Sequence, residues 1–274
     1  MNVPFSVLMS VYIKDDPSFL NEAFKSIFTQ TLQPDEIVLI KDGPLSIELD
    51  NIISLYSSTN TAFRIIENKS NLGLGLSLAK GVLLAKNELI IRMDADDILP
   101  SIRFEKMIAK ISEGYDIVSS WTLFFEDDLA NVIAIKKRPE FHEDIVKLAK
   151  RRSPISHAAS VFRKSSVIKA GNYQDVGLYE DYHLWIRMIM SGAIFYNIQE
   201  PLYYVRTSQK QIGRRGGWKY ALNEIKAFRY FHEIGFYSIY DLFFNIVTHT
   251  SVRFLPVPIR GFIIKAVTTK VTPR

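Results

Sequence analysis

The 274-residue chain contains no cysteine. This excludes a disulfide framework, a thiolate nucleophile and a cysteine-ligated metal, and it suits a reducing compartment. Long apolar runs are missing too: the longest stretches free of Asp, Glu, Lys and Arg are 13 residues, Met1 to Ile13 and Asn51 to Phe63. A membrane-spanning helix needs about 20. No basic residue precedes the first apolar run, so the start does not read as a secretion signal. Also absent are a Gly-Lys-Ser/Thr phosphate loop, a Gly-x-Ser-x-Gly elbow and a His-Glu-x-x-His motif. Gly73-Leu74-Gly75 opens like a dinucleotide fingerprint, but the third glycine position is Leu78. The five histidines are too scattered for a histidine-based metal site, and only His157 falls where a cleft is expected.

What is present is a globular composition, 47% hydrophobic and 23% charged, which excludes a disordered chain. The first hundred residues alternate strand and helix. Phe5 to Tyr12 reads as a strand, and Asp16-Pro17 supplies an N-cap and first-turn proline for a helix whose Leu20, Ala23, Phe24, Ile27 and Phe28 form one stripe. Strands over Glu36 to Lys41, Phe63 to Glu67 and Glu88 to Met93 follow, separated by helices near Ile47 to Tyr56 and Leu74 to Ala85. Apolar strands joined by helical crossovers specify an α/β fold with a mostly parallel sheet covered on both faces. Beyond Asp97 the pattern predicts a helix from Ser101 to Ser112, a β segment from Asp116 to Phe125, and helices over His142 to Arg152 and from Glu180. Residues 210 to 274 read as helices only, with Trp218, Ala221, Leu222, Ile225 and Phe228 as a stripe.

In open α/β sheets ligands bind beyond the carboxyl ends of the strands. Tyr12 follows the first strand and can stack on a base; Asp42 follows the second and can accept from a base N–H. Asp94-Ala95-Asp96-Asp97 follows the fourth. Three carboxylates in four residues repel one another unless a cation or solvent screens them, and alternate acids at a strand end can face one side. A hard cation such as Mg²⁺ or Mn²⁺ needs few protein carboxylates when a diphosphate supplies the remaining oxygens. Glu180-Asp181 opens a later helix, where it can complement the positive end of the helix dipole.

In order along the chain, Ser6 to Tyr12, Lys41-Asp42-Gly43, Asn71-Leu72-Gly73 with Ala79-Lys80, Met93 to Asp97, Ser156-His157, Gly171-Asn172-Tyr173, Glu180-Asp181 with Leu184-Trp185, and Pro201 to Tyr204 with Arg206 resemble the inverting GT-A glycosyltransferases of family 2. The bacterial O-antigen and exopolysaccharide enzymes, of the amylovoran type, are the nearest in pattern. The resemblance implies a GT-A domain over 1–208, with a nucleotide-binding half (1–97) and an acceptor half (98–208), and a basic helical extension over 209–274. It implies that Tyr12, Asp42, Lys80 and Asp94 bind a nucleotide sugar, that Asp96 and Asp94 hold Mn²⁺ or Mg²⁺, and that Asp181 is the general base. His157, Glu180, Trp185 and Arg206 would line the acceptor cleft. Two departures stand out: Gly81 replaces a usual Asn, and the usual histidine two residues after Arg206 is Ser208.

The net charge of +5 is unevenly spread. Lys210 to Arg274 carries 11 basic and 3 acidic residues, leaving 23 and 26 for residues 1–209. Such a basic tail, with Ile259, Phe262, Ile263, Ala266 and Val267 as an apolar stripe, either lies on an anionic membrane or packs on its own domain. The expected activity is hexose transfer from a UDP-sugar to a lipid-linked saccharide in cell-surface polysaccharide synthesis. The expected place is the inner face of the bacterial cytoplasmic membrane, with no nucleic-acid partner. A sugar-nucleotide-binding protein without activity and a nucleotidyltransferase are the alternatives.

Overall fold

The computed structural model describes residues 3–126, 128–176, 179–207, 217–253 and 269–270. Four parallel strands, β1 (Phe5–Val11), β2 (Glu36–Lys41), β3 (Phe63–Glu67) and β4 (Leu89–Arg92), lie in the order β3-β2-β1-β4. Three helices connect them: α1 (Pro17–Phe28), α2 (Ile47–Ser57) and α3 (Leu74–Leu84). Asp16 caps α1 by accepting from the Ser18 N–H at 2.8 Å, and, of the expected stripe, Leu20, Ala23, Phe24 and Ile27 are buried and Phe28 is partly buried. Because successive side chains point to opposite faces, β1 fills two cores at once. Val7, Met9 and Val11 pack with α1 and α2, whereas Leu8 packs with Leu78 and Val82 of α3. Gly81 has its reason here: a Cβ at that position would lie 2.3 Å from Leu8 Cδ1.

After α4 (Arg103–Ile111) the sheet continues but changes direction. Strand β5 (Ile117–Glu126) pairs with β6 (Asp128–Lys136) in antiparallel sense; after α5 (His142–Ala149), the short β7 (Val161–Arg163) bridges β4 to β5, antiparallel to both. Helices α6 (Lys164–Lys169) and α7 (Glu180–Met190) lead to β8 (Phe195–Arg206), parallel to β5. The sheet is therefore mixed, with nine strands, and the parallel expectation applies fully only to its first four. Neither β6 nor β7 was expected from the sequence, because one is solvent-facing and the other only three residues long.

Helices α8 (Trp218–Glu233) and α9 (Ile239–Arg253) pack on α7 through Tyr182, Ile186, Phe228, Phe231 and Tyr237. Two expectations fail here. Trp218 and Leu222 are exposed, and the buried stripe of α8 is Ala221, Glu224, Phe228 and Phe231. A buried glutamate disguises that stripe in sequence. Nor is the C-terminal region wholly helical, since Thr269–Lys270 forms a strand, β9, beside β6. The stripe expected between Ile259 and Val267 lies outside the described residues. No helix among the described residues is long and apolar enough to cross a membrane.

Candidate active site

A cleft of about 440 Å³ opens at the carboxyl ends of β1, β2 and β4. Its lining includes Tyr12, Asp42, Asn71, Asp94 and Asp96, so residues separated by up to 84 positions in sequence meet there because parallel strands end on one edge. Asp42, 4% exposed, organises the second wall. Its carboxylate accepts from Asn68 Nδ2 (3.0 Å), Asn71 Nδ2 (3.0 Å) and the backbone N–H groups of Leu72 (2.8 Å) and Gly73 (3.0 Å). A carboxylate has about four acceptor positions, so a base N–H here would share an oxygen already in use. Lys80 is displaced from its expected role. It does not line the cleft; its ammonium donates to Asn68 Oδ1 at 2.8 Å and to the Glu67 carbonyl, steadying the same loop from behind.

The acidic cluster divides by direction. Asp94 and Asp96 face the cleft, whereas Asp97 is buried and accepts from the Arg206 backbone N–H at 2.9 Å. The fully buried Arg92 forms an ion pair with Asp94, and the Tyr203 hydroxyl accepts from the Asp94 N–H at 2.9 Å. Burial and then Asp94 push the Asp96 carboxyl up to about 6. Asp15, unmarked in the sequence reading, joins them from the loop after β1; its pKa is pushed up to about 7, chiefly by burial and further by Asp96 and Asp94. Among the described residues no three metal-ligating side chains form a ready cage. Two cleft-facing carboxylates that destabilise each other nonetheless suit a hard divalent cation completed by phosphate oxygens.

Beside this cleft lies the start of α7, close to the residue that follows the lining Leu74. Glu180 approaches the first turn of α3 so closely that a Cβ on Gly75 would sit 3.2 Å from the Glu180 Cβ. Burial and Asp181 push Glu180 up to about 7, and Arg92 and Asp94 also act on it. Asp181 is raised by burial, opposed by the Tyr182 N–H, Lys136 and the Ser153 hydroxyl, which donates at 3.4 Å. Tyr179, just before the helix, adopts a left-handed φ of 74° and is held by its hydroxyl on Glu224, which Arg253 clamps at 2.8 and 2.6 Å. The C-terminal helices thus fix the start of α7.

Three residues expected in the acceptor cleft serve otherwise. Trp185 is fully buried against Phe195 and the His157 ring, as core. His157 Nε2 is engaged with the Tyr173 hydroxyl at 2.8 Å, and burial lowers its pKa, keeping it neutral. Arg206 is sandwiched between Phe19 and Phe125, pairs with Glu22 and donates to the Asp96 carbonyl, bracing the acidic loop from beneath. Their burial follows from β8 and α7 closing the core, which sequence pattern alone does not reveal.

Residues 6–171 match the family model "Glycosyl transferase family 2". A UDP-Gal:alpha-D-GlcNAc-diphosphoundecaprenol beta-1,3-galactosyltransferase of Escherichia coli is 40% identical over 265 residues, 96% of each chain. The amylovoran biosynthesis glycosyltransferase AmsE of Erwinia amylovora is 35% identical, over 94% of this chain and 97% of that one. Among solved structures, S. aureus TarS 1-349 in complex with UDP-GlcNAc superposes with a TM-score of 0.64 at 13% identity, covering 82% of this chain and 66% of that chain. That neighbour speaks for the fold alone. The chain belongs to glycosyl transferase family 2, and its mixed sheet with flanking helices is the GT-A arrangement. It is a glycosyltransferase.

Proposed function

We propose that this enzyme transfers a hexose, galactose or glucose, from a UDP-sugar to a saccharide carried on a lipid diphosphate, with inversion at the anomeric carbon. The observation that carries the reading is the convergence of Tyr12, Asp42, Asp94 and Asp96 on one cleft with Glu180-Asp181 brought against it. The E. coli and Erwinia relatives, matched over almost their whole length, support the substrate class. Tyr12 stacks on the base, and Asp42 with Asn71 frames the nucleoside. Asp94 and Asp96 would hold Mn²⁺ or Mg²⁺, which when bound offsets the charge developing on the departing diphosphate. Asp181 takes the proton from the acceptor hydroxyl as that oxygen attacks the face opposite the leaving group, because a sugar hydroxyl is a weak nucleophile without a positioned base. Residues 1–97 serve as the donor half, 98–208 as the acceptor half, and 209–274 as the basic extension.

We further read the extension as a peripheral contact with the inner face of the cytoplasmic membrane. Ile239, Tyr240, Phe243, Phe244 and Val247 form one exposed apolar face of α9, and the Arg151 guanidinium stacks over Phe244 at 4.9 Å beside Lys150. Apolar area flanked by cations is what an anionic bilayer surface attracts. Vesicles rich in phosphatidylglycerol should carry the protein upward in flotation, and serines at Tyr240 and Phe243 should leave it behind. DNA retention without flotation would reject this reading.

The catalytic reading is tested with UDP-, GDP- and dTDP-sugars, Mn²⁺ or Mg²⁺, and N-acetylglucosamine linked by α-diphosphate to a long alkyl chain. A β-linked hexose from a UDP donor is expected. Donor cleavage without any transfer, or transfer with retained configuration, would sink it.

A further inference from the structure

Asp241, Asn245, His249 and Arg253 recur every four residues along α9, so these polar side chains share one face of the helix. That face is turned inward. Asp241 and Asn245 are buried, whereas Tyr240, Phe243, Phe244 and Val247 of the same helix are exposed. An apolar row would cover the domain without needing partners, but a buried polar row is costly unless its groups are matched. The matches lie on both flanks of Asp181. On one, Asp241 pairs with the Arg151 guanidinium at 2.5 Å, Asn245 Nδ2 donates to the Lys150 carbonyl at 2.9 Å, and His249 Nε2 donates to the Arg151 carbonyl at 2.9 Å. Two residues on, the Ser153 hydroxyl lies 3.4 Å from Asp181 Oδ2 and 3.3 Å from the Ile155 carbonyl; its one proton favours the carboxylate when that is ionised. On the other flank, Arg253 clamps Glu224, which holds the Tyr179 hydroxyl. Tyr179 needs such a hold, because its φ of 74° is unfavourable for a residue with a Cβ. His249 joins the flanks: its Nδ1 lies 3.7 Å from Glu224 Oε1.

We propose that the inward row of α9 positions Asp181 through two arms, with His249 as the residue that ties them together. This rests on the assignment of Asp181 as the base. One arm runs from Asp241, Asn245 and His249 through Lys150 and Arg151 to the Ser153 hydroxyl. The other runs from Arg253 and His249 through Glu224 to Tyr179, whose carbonyl accepts from the His183 N–H at 2.9 Å and so closes the first turn of α7 around Asp181. The row acts through Asp181 and not on the sugar. A base displaced by about 1 Å loses much of its rate, so fixing one carboxylate from two sides is a contribution to turnover and not to donor affinity.

The test cuts each arm. Ser153→Ala and Tyr179→Phe remove one hydroxyl apiece, His249→Phe keeps a ring against Phe228 while removing both nitrogens, and His249→Gln restores an N–H for the Arg151 carbonyl. With the UDP-sugar and the alkyl diphosphate acceptor, kcat should fall about 3- to 10-fold in Ser153→Ala, Tyr179→Phe and His249→Phe, with the donor KM unmoved, and His249→Gln should recover most of the loss. The same substitutions made in Asp181→Asn should cause no further fall, because the group they position is gone. An equal fall in both backgrounds would overturn the proposal, and so would a raised donor KM with kcat intact. Amide hydrogen exchange reads the arms without turnover: at His183 it should quicken about 3- to 10-fold in Tyr179→Phe and His249→Phe, with the strands β1 to β4 unchanged. Full activity of Asp181→Asn would remove the base assignment, whereas unchanged exchange in folded variants would remove the arms themselves.

Discussion

The carboxylates on the two sides of the proposed site are held differently. At the ends of β1 and β4, on the side proposed for the donor, Asp15, Asp94 and Asp96 gather within electrostatic reach of one another. At the start of α7, on the side proposed for the acceptor, Glu180 and Asp181 act on each other, and Lys136 and the Ser153 hydroxyl act on Asp181. The first grouping suits a metal that meets a nucleotide's phosphates, and the second suits a base whose protonation its neighbours tune. The contrast also separates two kinds of support. Asp42 is fixed by neighbours in one short loop, whereas the start of α7 is fixed through Tyr179 by Glu224 and Arg253, which come from two distant helices.

Substitutions can set one side against the other. The largest effect is expected from Asp181→Asn, which should lower kcat by about 10² to 10⁴-fold while UDP binding, read by calorimetry, stays unchanged. Asp96→Ala should act on the opposite side: transfer falls by about 100-fold or more, and Mn²⁺ ceases to strengthen UDP binding. Full wild-type activity in EDTA would remove the metal from the donor side.

Next comes the support of α7. Glu224 is fully buried and its pKa is lowered to about 2; its burial opposes the shift, but bonds from Arg253, His249 and Tyr179 outweigh it. Because the folded value lies below the ordinary 4.5, the stabilisation is complete above that pH and drains away as pH falls towards 2. Glu224→Ala, which strands Arg253, should cost about 3 to 5 kcal/mol in urea unfolding at neutral pH. It should also lower kcat more than it weakens UDP binding.

The smallest effect concerns pH. The Glu180-Asp181 pair is held above the ordinary carboxylate range, Glu180 near 7, so the competent ionised form grows as pH rises through neutrality. Transfer should climb across that interval. Removing one like charge with Glu180→Gln should move the ascending limb to lower pH, and an unmoved limb would uncouple the two groups.

How far the residues announced all this depends on the range of the interactions. The strands Glu36–Lys41 and Phe63–Glu67 and the start of α3 were legible to the residue, because periodicity and capping are local. Tyr12, Asp42, Asp94 and Asp96 could be nominated because parallel strands deliver their carboxyl ends to one edge. Asp15 carried no such signal. An aspartate in a turn is ordinary in sequence, and only burial beside like charges marks it. Trp185 and Arg206 misled for the same reason: their motif places them near a cleft, but packing turned one into the core and the other beneath the acidic loop.

The sequence by itself determined the α/β alternation, the acidic run after the fourth strand, the absence of thiol chemistry and the excess of cations near the C-terminus. Tertiary structure alone decided what those cations do. Arg253, counted in sequence as part of a basic tail, is spent on a buried glutamate that holds the start of α7 through Tyr179. Lys136, which acts on Asp181, comes from the nominally acidic body. Charge can be counted along a chain, but its effect depends on which groups share a low-dielectric space, and that is settled only when distant segments pack together.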